Sequence, residues 1–492
     1  MGILRRPRDV NNIGFLIFGC AVTAFYFMVF ANVNLNREKY SSNGNSTDAH
    51  EYQDICSDWK IALDQEKTRR IEEMLTKKEV GLALGYEISG DISEELNSYF
   101  RCDNTYKDTM VSQRGSYYVI YNLVKAEKIF GCTESVTLSA PGDYRFLDNI
   151  IPLVDRWRGP ISIALYAPGY DFYTTLNSIA YLRNCKPAII RHLVSFHLVF
   201  EQKHTPKIKD PRGSLLSSYE DSYDCSLPPP WQATNDKDMY KTQHGLLYPI
   251  NVLRNAAKLA SQTYFIFPND IELYPTRKFI PLFMNFAKDN IDLFKKGQRN
   301  VFVLPIFEIL SNQTIPETKT QLQEMLKMKT AIIFHQKMCL VCHKVINSEN
   351  WVKAEETEGL DVFSVGQRVG RQMVWEPFFV CTQNEPLWDE RMTWEGQNNK
   401  MVQAYTMCVM KYNFHVMDNA FLIHKPGVKK KKVQLEKFQS VVRESTQTIK
   451  EIAIELQNLY GFNPNCTTTY RSEKKKRDFA PKPTFAKRTK ST

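Results

Sequence analysis

ESVTLSAPGDYRFLDNIIPLVDRWRGPISIALYAPGYDFYTTLNSIAYLRNCKPAIIRHLVSFHLVF, residues 134–200, is the stretch on which the fold turns. Glu134 to Ser139 has strand character. Arg145 to Trp157 carries apolar residues at helical spacing until Gly159-Pro160 breaks the pattern. Ile161 to Ala167 is a second strand, Phe172 to Cys185 a second helix, and Val194 to Phe200 a third strand. Strand, helix, strand, helix, strand implies a parallel α/β sheet, because parallel neighbours need a crossover long enough to hold a helix.

Downstream, Glu201 to Thr242 is a polar loop containing Pro228-Pro229-Pro230. Tyr248 to Ser261 is helical and leads into the strand Tyr264 to Phe267, after which come Pro268, Asn269, Asp270, Ile271 and Glu272. Asn300 to Leu304 is a strand, Thr318 to Lys329 a helix, and Met410 to His424 holds short strands. Val433 to Tyr460 is a long amphipathic helix closed by Gly461.

Upstream, Ile13 to Ala31 is a 19-residue run with no charge and no proline. About 20 apolar residues span a bilayer as helix. A signal peptide would have a shorter apolar run and a small-residue cleavage site, so the run reads as an uncleaved anchor. Arg5, Arg6 and Arg8 precede it and hold the N-terminus in the cytosol, which makes the chain a single-pass type II membrane protein. The expected divisions are a cytoplasmic tail (1–12), the anchor (13–31), a stem and N-terminal lumenal region (32–131), a folded domain (132–466) and a basic disordered tail (467–492).

The chain has 492 residues and a net charge of +10. The segment from Arg471 onward carries +7 of this and residues 1–12 carry +2, which leaves the body nearly neutral. A nucleic-acid binder would show a basic face on its folded domain, so that class is set aside. Beyond Cys20 in the anchor, ten cysteines remain, an even number that suits disulfides in an oxidising lumen. Glycosylation sequons stand at Asn45, Asn312 and Asn465. Cys339-Leu-Val-Cys342-His343 matches a haem-attachment pattern, and with His335 it could also bind zinc. A disulfide suits the compartment better than either.

Asp270 and Glu272 lie two apart beyond the end of an apolar strand. Two carboxylates there can converge on one hard cation, which then bridges phosphate oxygens. Acid-x-acid spacing is common by chance, so its weight comes from the preceding helix and strand.

Four stretches in order, 135–169, 248–275, PLWDERMTWEGQNNKMVQ (386–403) and FHVMDNAFLIHKPG (414–427), resemble glycosyltransferase family 49. The resemblance spans about Cys132 to Cys466. It implies a GT-A-like, Rossmann-type α/β fold with a mixed sheet, and metal-dependent inverting transfer from a UDP-sugar. Members use UDP-glucuronate, so the expected reaction joins glucuronate β1,4 to xylose on a glycoprotein glycan of the O-mannosyl class, at the Golgi membrane. The alternative is a catalytically weak glycan-binding relative. The implied metal, Mn²⁺ or Mg²⁺, would be held by Asp270, Glu272 and His424, although the family's usual pair is Asp-x-Asp. Lys425 would offset leaving-group charge. Arg254 and Asn255 would hold the nucleotide or else pack the helix. Glu395 ranks ahead of Asp389 as general base, with Trp394 as acceptor platform. Asn399, in a sequence resembling the family's Gly-x-Asn-Lys/Arg, would order this loop at the substrate. Expected partners are the UDP-sugar donor and the glycan acceptor, with a homodimer or a complex with other Golgi glycosyltransferases compatible with the topology.

Overall fold

A computed structural model describes residues 90–102, 104, 107–339, 341–428 and 438–467. The expected anchor, the sequon at Asn45 and the basic tail beyond Thr467 lie outside them. Among the described residues no helix is long and apolar enough to cross a membrane.

Strands β3 (Val136–Gly142) and β4 (Ile161–Tyr166) are buried at every position, as strands covered on both faces must be. They lie in a six-stranded sheet of order β1-β2-β5-β4-β3-β6, with β1 Met110–Arg114, β2 Tyr117–Val124, β5 Val194–Glu201 and β6 Phe265–Pro268. Strands β3, β4, β5 and β6 run parallel, as the alternation of strands and helices requires. Helices α2 (Ile150–Trp157) and α3 (Asp171–Cys185) make the crossovers. The first begins as a 3₁₀ turn at Tyr144–Asn149 that the Asp143 side chain caps.

The boundary expected at Cys132 falls inside this unit. The hairpin β1–β2 adds antiparallel to β5, α1 (Gly90–Phe100) buries Leu96 in the main core, and Cys102 is bonded to Cys132. The hairpin lies on the sheet edge, where pairing depends on tertiary contact, so its sequence carried little sign of membership.

Two smaller sheets complete the body. One has the order β10-β9-β14-β7, from Ala331–Ile333, Ile306–Ile309, Leu422–His424 and Leu273–Pro275. The other has the order β11-β13-β8-β12, from Val362–Gly366, Asn413–Met417, Asn300–Leu304 and Phe378–Val380. Each mixes parallel and antiparallel pairs, which agrees with the GT-A-like α/β class. Helix α4 (Ile250–Ala260) covers the first sheet, α5 (Phe279–Asp289) packs its aromatics into the main core, and α6 (Met401–Val409) lies against α7 (Gln439–Tyr460).

Among the described residues four disulfides join Cys102 to Cys132, Cys185 to Cys225, Cys339 to Cys342, and Cys408 to Cys466. The CxxCH sequence is thus a disulfide, and this pairing removes its thiolates from any haem or zinc role. Cys381 is a buried thiol whose pKa burial pushes up to about 12. Asn312 and Asn465 are exposed, as glycan acceptors must be.

Candidate active site

Pro268 ends β6, and the chain turns through Asn269 and Asp270 before β7 begins at Leu273. β7 pairs antiparallel with β14 so that His424 stands opposite Leu273. The Lys425 amide donates to the Glu272 carbonyl at 2.8 Å, and this register carries the His424 ring to the Glu272 side chain. Nε2 of His424 is 3.3 Å from Oε2 of Glu272. Nδ1 is 2.8 Å from the Lys425 carbonyl, which can only accept, so Nδ1 carries a proton. In the neutral ring Nε2 then turns its lone pair toward a carboxylate. Two lone pairs at that distance need a proton or a metal cation between them, so Glu272 and His424 fit a divalent ion.

Asp270 is held differently. Its Oδ1 is 3.4 Å from Arg254 and its Oδ2 is 2.8 Å from the ammonium of Lys400. Among the described residues no group of three or more His, Cys, Asp and Glu side chains converges as a metal site. The structure thus joins two of the three expected ligands and gives the third to cations. Lys425 reaches Asp148 at 2.6 Å.

A cleft opens beside Asp270, at the carboxyl end of β6. This is where open α/β sheets take their ligands. Arg254, Asn269, Asp270, Glu376, Trp388 and Lys400 are among its lining residues. The Lys400 ammonium also lies 3.8 Å from the Phe378 ring centroid. Burial pulls its pKa down against the attraction of Asp270, with Arg254 adding to the fall. For Glu376 burial raises the pKa, outweighing Lys400, Arg254 and Arg368.

Helix α4 explains how the cleft floor is held. Asn251, Arg254, Asn255 and Lys258 recur at helical spacing and are all buried. The Asn251 amide donates to the Asp389 and Asn399 carbonyls. Arg254 donates to Asn399 Oδ1 at 2.7 Å. The Asn255 amide donates to the Trp388 carbonyl and to Glu390, and its oxygen accepts the Trp388 amide. Lys258 donates to the Glu385 carbonyl at 2.8 Å. One polar stripe thus fastens the whole segment 385–399.

These bonds revise several expected roles. Asn255 is 1% exposed and committed to Trp388 and Glu390, so of its two roles the structure supports packing rather than nucleotide contact. Asn399 orders its loop by receiving Arg254. Asp389 accepts from the Arg391 amide and guanidinium, and Arg391 also grips Glu455 of α7. That carboxylate is thus held by Arg391 as a structural anchor. Glu395 accepts the Tyr248 amide at 2.9 Å and is not among the residues lining the cleft. Trp394 is 56% exposed, as a sugar platform should be. Lys400 and Glu376 were not among the expected site residues. The pair Asn399-Lys400 pointed toward the first, whereas nothing local to Glu376 marks it.

At the ends of β3 and β4 further charge is pinned. Asp143 is fully buried between Lys241, at 2.5 Å, and Arg145. Burial alone would raise its pKa, but the two cations hold the carboxyl below the usual range. Asp171 accepts the Tyr240 and Lys241 amides, so the polar loop after β5 is fastened by its own backbone to the start of α3.

A family model described as "Glycosyl-transferase for dystroglycan" matches residues 135–461. Beta-1,4-glucuronyltransferase 1 of Danio rerio is 26% identical over 322 residues, covering 63% of this chain and 72% of that protein. The human protein of the same name is 25% identical over 330 residues, covering 61% and 76%. Human xylosyl- and glucuronyltransferase LARGE1 is 24% identical over 329 residues, 66% of this chain but 36% of that protein.

Proposed function

The chain belongs to the family of glycosyltransferases for dystroglycan, and from that premise we propose that it transfers glucuronate from UDP-glucuronate, β1,4 and with inversion, to xylose on a glycoprotein glycan. The names of the relatives support the donor and the acceptor. The observation that carries the site is the meeting of His424 with Glu272, two residues along the chain from Asp270, which lines the cleft. Glu272 and His424 would hold Mn²⁺ or Mg²⁺, while Asp270 stays paired with Lys400 and Arg254. The bound ion would supply charge neutralisation at the departing diphosphate. Arg254 and Lys400 add fixed positive charge at the cleft. Trp394 offers an exposed aromatic face to the acceptor sugar.

The setting we propose is the Golgi membrane, in type II orientation with the catalytic domain lumenal. The charge-free run behind three arginines and the four disulfides support it. Protease protection of the C-terminus in sealed microsomes tests the topology; digestion there would overturn it. UDP release from a panel of UDP-sugars, with a β-xyloside acceptor and varied Mn²⁺, tests the reaction. UDP-glucuronate should give release that EDTA abolishes. Preference for another sugar would overturn the donor, and release indifferent to chelation would overturn the metal.

A further inference from the structure

Inverting transfer needs a base for the acceptor hydroxyl, and a carboxylate is the usual choice. The carboxylates near the cleft differ in what already occupies them. Asp389 is taken by Arg391, and Glu390 by Arg114 and Asn255. Asp270 is paired with Lys400 and Arg254, and Glu395 receives the Tyr248 amide. Glu376 lines the cleft, and among the described residues no hydrogen bond or ion pair to its carboxylate is found.

Its backbone, by contrast, is tightly held. The Glu376 amide donates to the Cys342 carbonyl at 2.9 Å, and His343 Nδ1 donates to the Glu376 carbonyl at 3.2 Å. Cys342 is itself fixed by its disulfide to Cys339. Pro377 follows and restricts the Glu376 backbone to extended conformations. Two residues on, Phe378 starts β12 and carries the Lys400 ammonium over its ring. A half-buried carboxylate on a rigid backbone, uncommitted and facing the ligand space, is what a base requires.

We propose that Glu376 is the general base of the transfer, an assignment that rests on the transferase reading above. Glu376 takes the proton of the acceptor hydroxyl. The acceptor oxygen bonds to the anomeric carbon of the donor sugar as the bond from that carbon to the diphosphate oxygen breaks. The electron pair leaves with UDP, and the proton remains on Glu376.

The test uses the full chain, Mn²⁺, UDP-glucuronate and a β-xyloside. Glu376→Gln, nearly isosteric, should lower kcat by ~10²–10⁴-fold while donor affinity stays within about threefold of wild type. Glu376→Asp should be more active than Glu376→Gln. An acceptor whose attacking hydroxyl is replaced by a thiol ionises with little help, so its transfer should survive in Glu376→Gln. Retention of wild-type kcat in Glu376→Gln would overturn the assignment. So would equal losses with the thiol and hydroxyl acceptors, since that marks a structural or donor-binding role. If wild type rejects UDP-glucuronate, the donor reading fails alone, and the comparison runs with whichever UDP-sugar it accepts. No transfer from any UDP-sugar would overturn the base as well.

Discussion

Glu272 and His424 are 152 residues apart and meet at 3.3 Å. The contact exists because β7 and β14 pair in one register, and a slip of one residue would turn either side chain to the opposite face. Glu272 is one methylene longer than the aspartate common at this place in the family pattern. Glu272→Gln keeps the shape and gives up the charge, so the Mn²⁺ concentration for half-maximal UDP release should rise at least about tenfold. His424→Ala should do the same, and Glu272→Asp should keep the metal dependence of wild type. Unchanged half-saturation in both Glu272→Gln and His424→Ala would remove them as ligands. Glu272 was legible from residue type and from its place after a strand, and His424 only through the family resemblance. The pair's separation from Asp270 was not legible, because the reach of Lys400 and Arg254 depends on how α4 and α6 pack.

Helix α4 shows the same limit at the scale of an element. Its apolar face, Val252, Leu253, Ala256 and Ala257, packs with β2, β4 and β5 residues in one core cluster. Its opposite face is polar, as on any surface helix, yet Asn251, Arg254, Asn255 and Lys258 are buried. Periodicity separates apolar from polar faces but cannot distinguish a solvated polar face from one bonded to a loop. Asn255→Ala would strand the Trp388 amide and carbonyl, each buried with it. We expect a loss of ~1–3 kcal/mol in urea unfolding, with Asn255→Asp no milder, because it keeps the acceptor for the Trp388 amide but sets a buried carboxylate against Glu390 and the Trp388 carbonyl. A loss within ±0.5 kcal/mol, the range of ordinary surface substitutions, would mean that the stripe is not holding the segment.

Across the whole molecule, α6 and the chain beyond α7 are tied by Cys408–Cys466, which spans 58 residues of sequence. Arg391 adds a second tie from the cleft segment to Glu455. Serine at both Cys408 and Cys466 should lower stability by ~2–5 kcal/mol in denaturant titration, with weaker secretion of the chain. Equal midpoints for the two proteins would show that packing alone holds α7. The alternating α/β core, the oxidised state of the cysteines and the segments that surround the site were readable from the linear chain. Those features follow from local periodicity, strand burial and residue type, which a linear chain displays directly. Folding in three dimensions was needed to show that the hairpin before Cys132 belongs to the sheet, that Asp389 is bound by Arg391, that Asn255 faces the Trp388 segment and that Glu376 faces the cleft. Each of these depends on which distant groups exclude water from a side chain and which occupy its hydrogen bonds, and that is set by packing among segments far apart in the chain.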